Sequence, residues 1–411
     1  MPVADLSDWI DDYARPDIVW YIKRLSGNDT LANGSHQAGP YIAREFLLQV
    51  FPTINRTDIK NPDVRFDLYI DSSADYRNVR AVYYNNALFD GTRNETRLTN
   101  FGGQSSALLD PDSIGALTVF AFRLNAVGAA IDCHVWVCQH EIEADIVEDI
   151  VGPVEPGKFL VWSPVHSATN LPLLDIPSLR SSCWLDSAAL PPSWITDFPA
   201  VAEIVRKSVE LRTLAAFPPD QRLMKRRECE FELFRSVEQA VELPHIHAGF
   251  TTVEDFLCRA QTILQRRKKR AGQSLELHTR EIFIEERLIE NVNFSYQPVS
   301  ENGKKPDFLF PSQTAYQDAS FPASNLRMLA VKTTCKERWR QILSEANRIQ
   351  NKHLLTLQEG VSESQFQEMT NACIQLVVPA QRVESFPPAV RPHLQTLESF
   401  IADVRLLTVP S

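Results

Sequence analysis

Between residues 60 and 165 apolar and polar positions alternate in short runs: VRFDLYI (64–70), RAVYYNN (80–86), TRLTNF (96–101), TVFAFRL (118–124), CHVWVCQ (133–139) and KFLVW (158–162). A period of two puts every second side chain on the same face of an extended chain, so each run reads as a strand. Turn-forming stretches such as DGTRN (90–94) and GPVEPG (152–157) separate them. Many short strands with polar breaks predict a mostly-β domain, a barrel-like pseudobarrel or a sandwich. Residues 163–195 then lose periodicity and gather Pro and Ser, which marks a linker.

Beyond residue 195 the period changes. AEIVRKSVELRTLAAF, RECEFELFRSVEQAVEL and VEDFLCRAQTILQRRKKR carry apolar residues at helical spacing. A helix at about 274–291, strands at 307–310 and 328–333, a helix at 336–351 and strands near 354–357 and 374–378 follow. Interleaved helices and strands predict an α/β core. The expected organisation is therefore a β domain over 1–165, a linker over 166–195 and an α/β domain over 196–411.

Composition bounds the class. The chain has 411 residues, 44% hydrophobic and 23% charged, enough for two domains with separate cores. Its longest apolar runs, such as ALTVFAF (116–122), fall short of the roughly 18 residues that a membrane span needs. An acidic start without an apolar stretch adds to the expectation of a soluble, cytoplasmic protein. Seven scattered cysteines, an odd number, predict reduced thiols. Cys133 and Cys138 lie near His134 and His140, but the spacing is not that of a zinc site and burial is the expected fate. The net charge of −10 excludes affinity for nucleic acid through overall charge and leaves only local clusters. Two are present: RRKKR at 266–270, and residues 304–340, where seven basic residues face three acidic ones.

The second cluster surrounds the chemistry. KKPDFLFP (304–311) is followed by LAVKTTCKERWRQILSEANRI (329–349). Phosphodiester cleavage needs a hard divalent ion to offset phosphate charge and acidify water, and Mg2+ prefers carboxylate oxygens. A lysine beside them stabilises developing negative charge. Asp307 opens one predicted strand and Lys332 lies on the next. The acid commonly found two residues before such a lysine is here Ala330. Glu345, on the predicted following helix, can replace it, with Trp339, Leu343 and Ala346 marking that helix's buried stripe. Spacing alone leaves a plainer alternative open, in which the three residues are a turn acid, a strand-edge lysine and a solvated glutamate.

KKPDFLFP, LRMLAVKTTCKERWRQILSEA, HLLTLQEGVS, RAGQSLELH and FIEE together resemble the EcoRII family of Type IIE restriction endonucleases. So do YIKRLSGNDT (21–30), GSHQAGPYI (34–42), TRNETR (92–97) and PGKFL (156–160) in the first half. The resemblance implies a PD-(D/E)XK nuclease domain with its second acidic ligand displaced, matching Asp307, Lys332 and Glu345, with Mg2+ held by Asp307 and Glu345. It adds a further carboxylate at Glu276 and a tyrosine at Tyr316. Chemically, Glu276 could complete a metal or water shell or be an ordinary helix-face charge; for Tyr316 the resemblance stands alone.

Lys336, Glu337 and Arg338 suit adjacent C·G pairs, since Lys and Arg donate to guanine while Glu accepts from cytosine N4. The resemblance assigns them that role in a CCNGG-type site, and assigns Arg227 and Phe231 to a pocket for flipped central bases. Phe231 is equally readable as core. Effector DNA would meet His36, Tyr41, Arg93, Glu95 and Arg97, with Gly91 and Thr96 standing where the family has lysines. The implied enzyme is a homodimer acting on double-stranded DNA and autoinhibited by its first domain. Two rivals remain: a sequence-specific DNA-binding regulator with an inactive nuclease-like domain, kept alive by Ala330, and a structure-selective repair nuclease.

Overall fold

Hydrophobic runs of two kinds build the first half of the chain. The computed structural model describes residues 2–33, 39–92, 94–163 and 181–407. Here α1 (Pro2–Tyr13), β1 (Ile18–Arg24), α2 (Arg44–Val50), β2 (Asp63–Ile70), β3 (Asp75–Tyr84), β4 (Glu95–Thr99), β5 (Leu117–Leu124), β6 (Ala130–Val137), α3 (Glu141–Val151) and β7 (Phe159–Trp162) follow in order. The strands form a seven-stranded sheet of order β4-β3-β2-β6-β5-β1-β7, antiparallel except where β2 runs parallel to β6. In β2, β3 and β4 alternate residues, such as Phe66, Leu68, Val79, Ala81 and Leu98, enter one core, with Val82 of β3 the apolar residue also buried between them. In β1 and β5 both faces do: Tyr21 and Phe120 pack with α2 residues, while Trp20, Ile22 and Val119 pack beneath Leu6, Trp9 and Val147 of α1 and α3. Continuous apolar strands are thus those covered on both faces, and alternating ones those covered on one. β1 is a strand that the alternation did not reveal, because IVWYI is apolar at every position.

The second half continues with α4 (Pro192–Thr196), α5 (Val201–Leu211), α6 (Pro219–Ala248), α7 (Val253–Glu285), β8 (Ser295–Tyr296), β9 (Phe308–Phe310), α8 (Gln313–Gln317), β10 (Arg327–Lys332), β11 (Lys352–Thr356), α9 (Glu363–Asn371), β12 (Ile374–Val377) and α10 (Leu397–Arg405). Five strands lie in the order β12-β11-β10-β9-β8, with β10, β11 and β12 parallel and the rest antiparallel. Phe283 of α7 anchors the core beneath them, with ring centroids 5.2 Å from Phe308, 5.5 Å from Phe310 and 5.5 Å from Phe294. Asp220 at the start of α6 accepts the amides of Leu397 at 3.0 Å and Glu398 at 2.9 Å, capping α10 from 177 positions away.

The chain makes two units, Met1–Pro177 with Gln358–Gln367 and Glu384–Pro392, and Ser178–Leu357 with Glu368–Val383 and His393–Ser411. Much of the predicted linker lies outside the described residues.

Four sequence expectations need correction. The segments read as separate helices before and after residue 271 are one helix, α7, which ends at Glu285 rather than 291. Gly272 inside it costs only about 1 kcal/mol relative to alanine, too little to interrupt so long a helix. The predicted helix over 336–351 is a turn followed by a 3-10 segment, Arg338–Ser344, whose buried residues are Trp339 and Ile342, with Leu343 exposed. Cys183 and Cys229 form a disulfide, their Cα atoms 5.2 Å apart, so not all thiols are free. The RRKKR run is no free basic patch: Arg266 pairs with Glu242 at 2.6 Å, Arg267 with Glu238 at 2.7 Å and Arg270 with Glu230 at 3.1 Å, across the α6–α7 hairpin. Cys133 and Cys138 are buried in different cores, as expected of packing residues.

Candidate active site

Strand register explains how the acids meet. Leu329 pairs with Phe308 and Arg327 with Phe310, so one step further Asp307 comes opposite Ala330. Phe308, Leu329 and Val331 point into the core around Phe283, which leaves Asp307, Ala330 and Lys332 on the other face. Asp307 accepts the Val331 amide at 2.7 Å and the Lys332 ammonium at 3.4 Å. Ala330 is completely buried. A carboxylate there would crowd Asp307 with no water to screen it, and the small side chain leaves the space open.

Another carboxylate comes from further along. After the 3-10 segment, Glu345 returns to extended backbone and Ala346 adopts a left-handed conformation with φ 47°. For a residue with a Cβ that conformation costs about 1–2 kcal/mol. The sharp turn, rather than a helix face, aims the Glu345 carboxylate toward Lys332 and Asp307, both of which act on its ionisation. Glu276 reaches the same place from α7, held by Gln297 at 3.0 Å and the Tyr296 hydroxyl at 3.3 Å.

The electrostatics are those of crowded anions. Burial pushes up the Asp307 carboxyl, and Lys332 and the Val331 amide only partly offset it. Burial, then the charge of Asp307, raises Glu276. Glu345 is raised by burial first and by Asp307, against the opposing pull of Lys332, Lys304 and Lys352. Three carboxyls held above their ordinary range, with Lys332 and, at Glu345, Lys304 and Lys352 only partly offsetting them, form a cluster of the kind found at functional sites. The oxygen-only donor set suits a hard cation. Among the described residues no group of three or more His, Cys, Asp or Glu side chains stands ready-made to enclose a metal. Two carboxylates plus water and substrate oxygens, a common set for Mg2+, remain the fitting arrangement.

Tyr316 lies beside this cluster rather than in it. Its hydroxyl donates to Glu301, whose other oxygen accepts the Asn347 amide at 3.3 Å, and Arg348 lies over its ring at 5.6 Å and bonds the Tyr316 carbonyl. Tyr316 therefore braces the turn after Glu345, and its phenol is pushed up to about 12 by burial and then by Glu301. Lys336 and Glu337 occupy the turn after β10 and Arg338 opens the 3-10 segment, all half-buried. Arg227 is buried, donating to Ser274 at 3.1 Å, and one face of Phe231 is covered by the Arg270 guanidinium at 4.8 Å.

In the first unit, Tyr41 and Arg97 form a β-bridge, and Arg97 contacts Glu95 at 3.2 Å and the Gly39 carbonyl at 3.1 Å. His36 and Arg93 lie outside the described residues. Thr96 is fully buried and bonds the Ile42 carbonyl at 2.5 Å, so its side chain faces inward while Glu95 and Arg97 share the outer face. At Gly91 a Cβ would come within 2.6 Å of the Asn86 Cβ, which leaves no room for a side chain.

Sequence reasoning counted Lys304 only within the basic cluster and missed Lys352, Glu301 and Arg348, which with it surround the Glu345 turn. The only trace of Lys352 is its place at the head of the apolar strand KHLLT.

Residues 14–166 match the family described as "Restriction endonuclease EcoRII, N-terminal", and residues 234–401 match "EcoRII C terminal". The chain is 41% identical over 408 residues to the Type II restriction enzyme EcoRII of Escherichia coli, covering 98% of each. Solved structures of metal-depleted Ecl18kI with uncleaved modified DNA and with uncleaved DNA align at TM-scores of 0.43 and 0.42 and identities of 18% and 17%. They cover 52% and 53% of this chain, and 80% and 85% of their own.

Proposed function

The chain belongs to the EcoRII family of Type II restriction endonucleases, and from that premise we propose that it makes Mg2+-dependent double-strand cuts at a short CCNGG-type palindrome. The observation that carries the reading is the ion pair of Asp307 and Lys332 at the ends of the neighbouring strands β9 and β10, with Glu345 and Glu276 electrostatically coupled to it. Full-length similarity supports a PD-(D/E)XK domain preceded by a pseudobarrel that binds effector DNA and restrains cutting. A palindrome is matched by a two-fold protein, which favours a homodimer acting on double-stranded DNA.

Asp307 and Glu345 are the carboxylates placed to hold the cation. When bound, Mg2+ supplies charge neutralisation at the scissile phosphate and a more acidic attacking water. Lys332 stands next to Asp307 and stabilises negative charge building on the phosphate oxygens. Glu276, fixed by Gln297 and Tyr296, closes the site on the α7 side. Lys336, Glu337 and Arg338 follow the catalytic strand directly and read C·G pairs; Arg227 and Phe231 serve flipped bases once DNA displaces their present contacts. Tyr41, Glu95 and Arg97, with His36 and Arg93, form the effector surface.

Incubating plasmid DNA with the protein and Mg2+, followed by end sequencing, tests this. Discrete fragments ending at one short palindrome are expected. Uncut DNA at every protein concentration would establish a regulator instead, and a smear a structure-selective nuclease.

A further inference from the structure

The turn that carries Glu345 is gripped by two lysines to which the proposed chemistry gives no part. Lys352, at the head of β11, is only 6% exposed, and its ammonium donates to the Leu343 carbonyl at 2.6 Å. Lys304, three residues before Asp307, donates to the Ser344 carbonyl at 3.0 Å. Those carbonyls end the 3-10 segment, where unpaired oxygens and aligned dipoles concentrate negative potential. Glu345 comes next, its own amide bound to Ile342 at 3.0 Å, and left-handed Ala346 follows.

A strained turn persists only where its surroundings over-determine it. From one side Glu301 holds Asn347, with Tyr316 and Arg348 behind it. The lysines act from the other. Burying an ammonium is unfavourable unless its hydrogen bonds and counter-charges are supplied. Burial draws the Lys352 ammonium down from its ordinary pKa, while Glu345 and then Glu301 hold it up. Both lysines also favour the charged form of Glu345. A lysine present only for solubility would be in water.

We propose that Lys352 and Lys304 are positioning residues for Glu345: by fixing the Leu343 and Ser344 carbonyls they hold its carboxylate toward Asp307 and set the site's affinity for a divalent cation. The role as metal ligand rests on the nuclease reading; the clamp rests on the hydrogen bonds.

The test uses the full-length protein and two readouts, Mn2+ binding followed by electron paramagnetic resonance and the Mg2+ dependence of plasmid cleavage. Lys352→Met and Lys304→Met are each expected to weaken Mn2+ binding at least about tenfold, the usual effect of removing a group behind a metal ligand. Half-maximal cleavage should move to correspondingly higher Mg2+, with activity recovered at saturating Mg2+. Lys304→Arg, which keeps a donor, should restore most of the affinity. A purely stabilising lysine would lower the melting temperature and leave the metal dependence in place. Should Lys352→Met fail to fold, the more exposed Lys304→Met decides. Wild-type Mn2+ affinity in the methionine variants overturns the clamp. Glu345→Gln must lose Mn2+ binding for the ligand role to stand. A wild-type protein that binds Mn2+ in this lysine-dependent way but never cuts DNA would refute the nuclease reading while upholding the clamp.

Discussion

The α6–α7 hairpin and the cluster around Asp307 are both dense in charge, and they arrange it in opposite ways. In the hairpin, arginines of one helix meet glutamates of the other: Arg259 and Arg266 on Glu242, Arg267 on Glu238, Arg270 on Glu230. Each of these carboxylates faces a guanidinium of the opposite helix. Around Asp307 three carboxyls are raised by burial, Glu276 and Glu345 also by the charge of Asp307, against Lys332 and, at Glu345, Lys304 and Lys352. Matched charge holds helices together, whereas carboxyls held above their ordinary pKa mark a candidate functional site.

That contrast can be tested from both ends. The largest effect is expected at Glu230, fully buried between Arg270 and Ser274. Glu230→Gln removes the carboxylate with which the buried Arg270 pairs and should cost about 3–5 kcal/mol in urea unfolding. In the cluster around Asp307, Lys332→Ala should lower the cleavage rate about 10²–10³-fold, some 3–4 kcal/mol in the barrier, while the protein stays folded and binds DNA in a gel-shift assay.

A buried imidazole provides a control outside both regions. Burial, and then the charge of Arg327, push His353 down from 6.5 to about 4. Its folded pKa lies below its unfolded one, so stability is full above pH 6.5 and falls as pH drops toward 4. Roughly 2–3 kcal/mol should be lost across that window. His353→Gln should flatten the pH dependence of the melting temperature there.

Glu276→Gln should behave oppositely to Glu230→Gln. Removing one of several crowded acids is expected to stabilise the metal-free protein by up to about 1 kcal/mol while reducing cleavage. The smallest effect belongs to Arg340→Ala, whose pair with Glu368 leaves both side chains more than half exposed. It should change unfolding by less than about 0.5 kcal/mol.

The same contrast marks what could be read from sequence. Strands covered on one face, such as VRFDLYI, declare themselves by alternation. β1 does not, because burial on both faces removes the period. Asp307 and Lys332 could be placed because strand register is local. Glu345 was expected on a helix; its carrier is a left-handed turn instead, and RWRQILSEA has no glycine to announce that turn. The RRKKR run was misread because its partners, Glu230, Glu238 and Glu242, lie on another helix. Composition counts charges, but only packing tells which are already matched.

Asp220 gives the second unit a particular order of completion. The carboxylate that caps α10 is synthesised 177 residues before its target, and Leu397, Phe400, Ile401 and Val404 fill the same core as Phe283. A chain still emerging from the ribosome carries its acids long before it has the last helix that seals the core beneath them. That core is thereby closed only after residues 397–404 have been made, and copies that stop short of them are left to refold or be degraded.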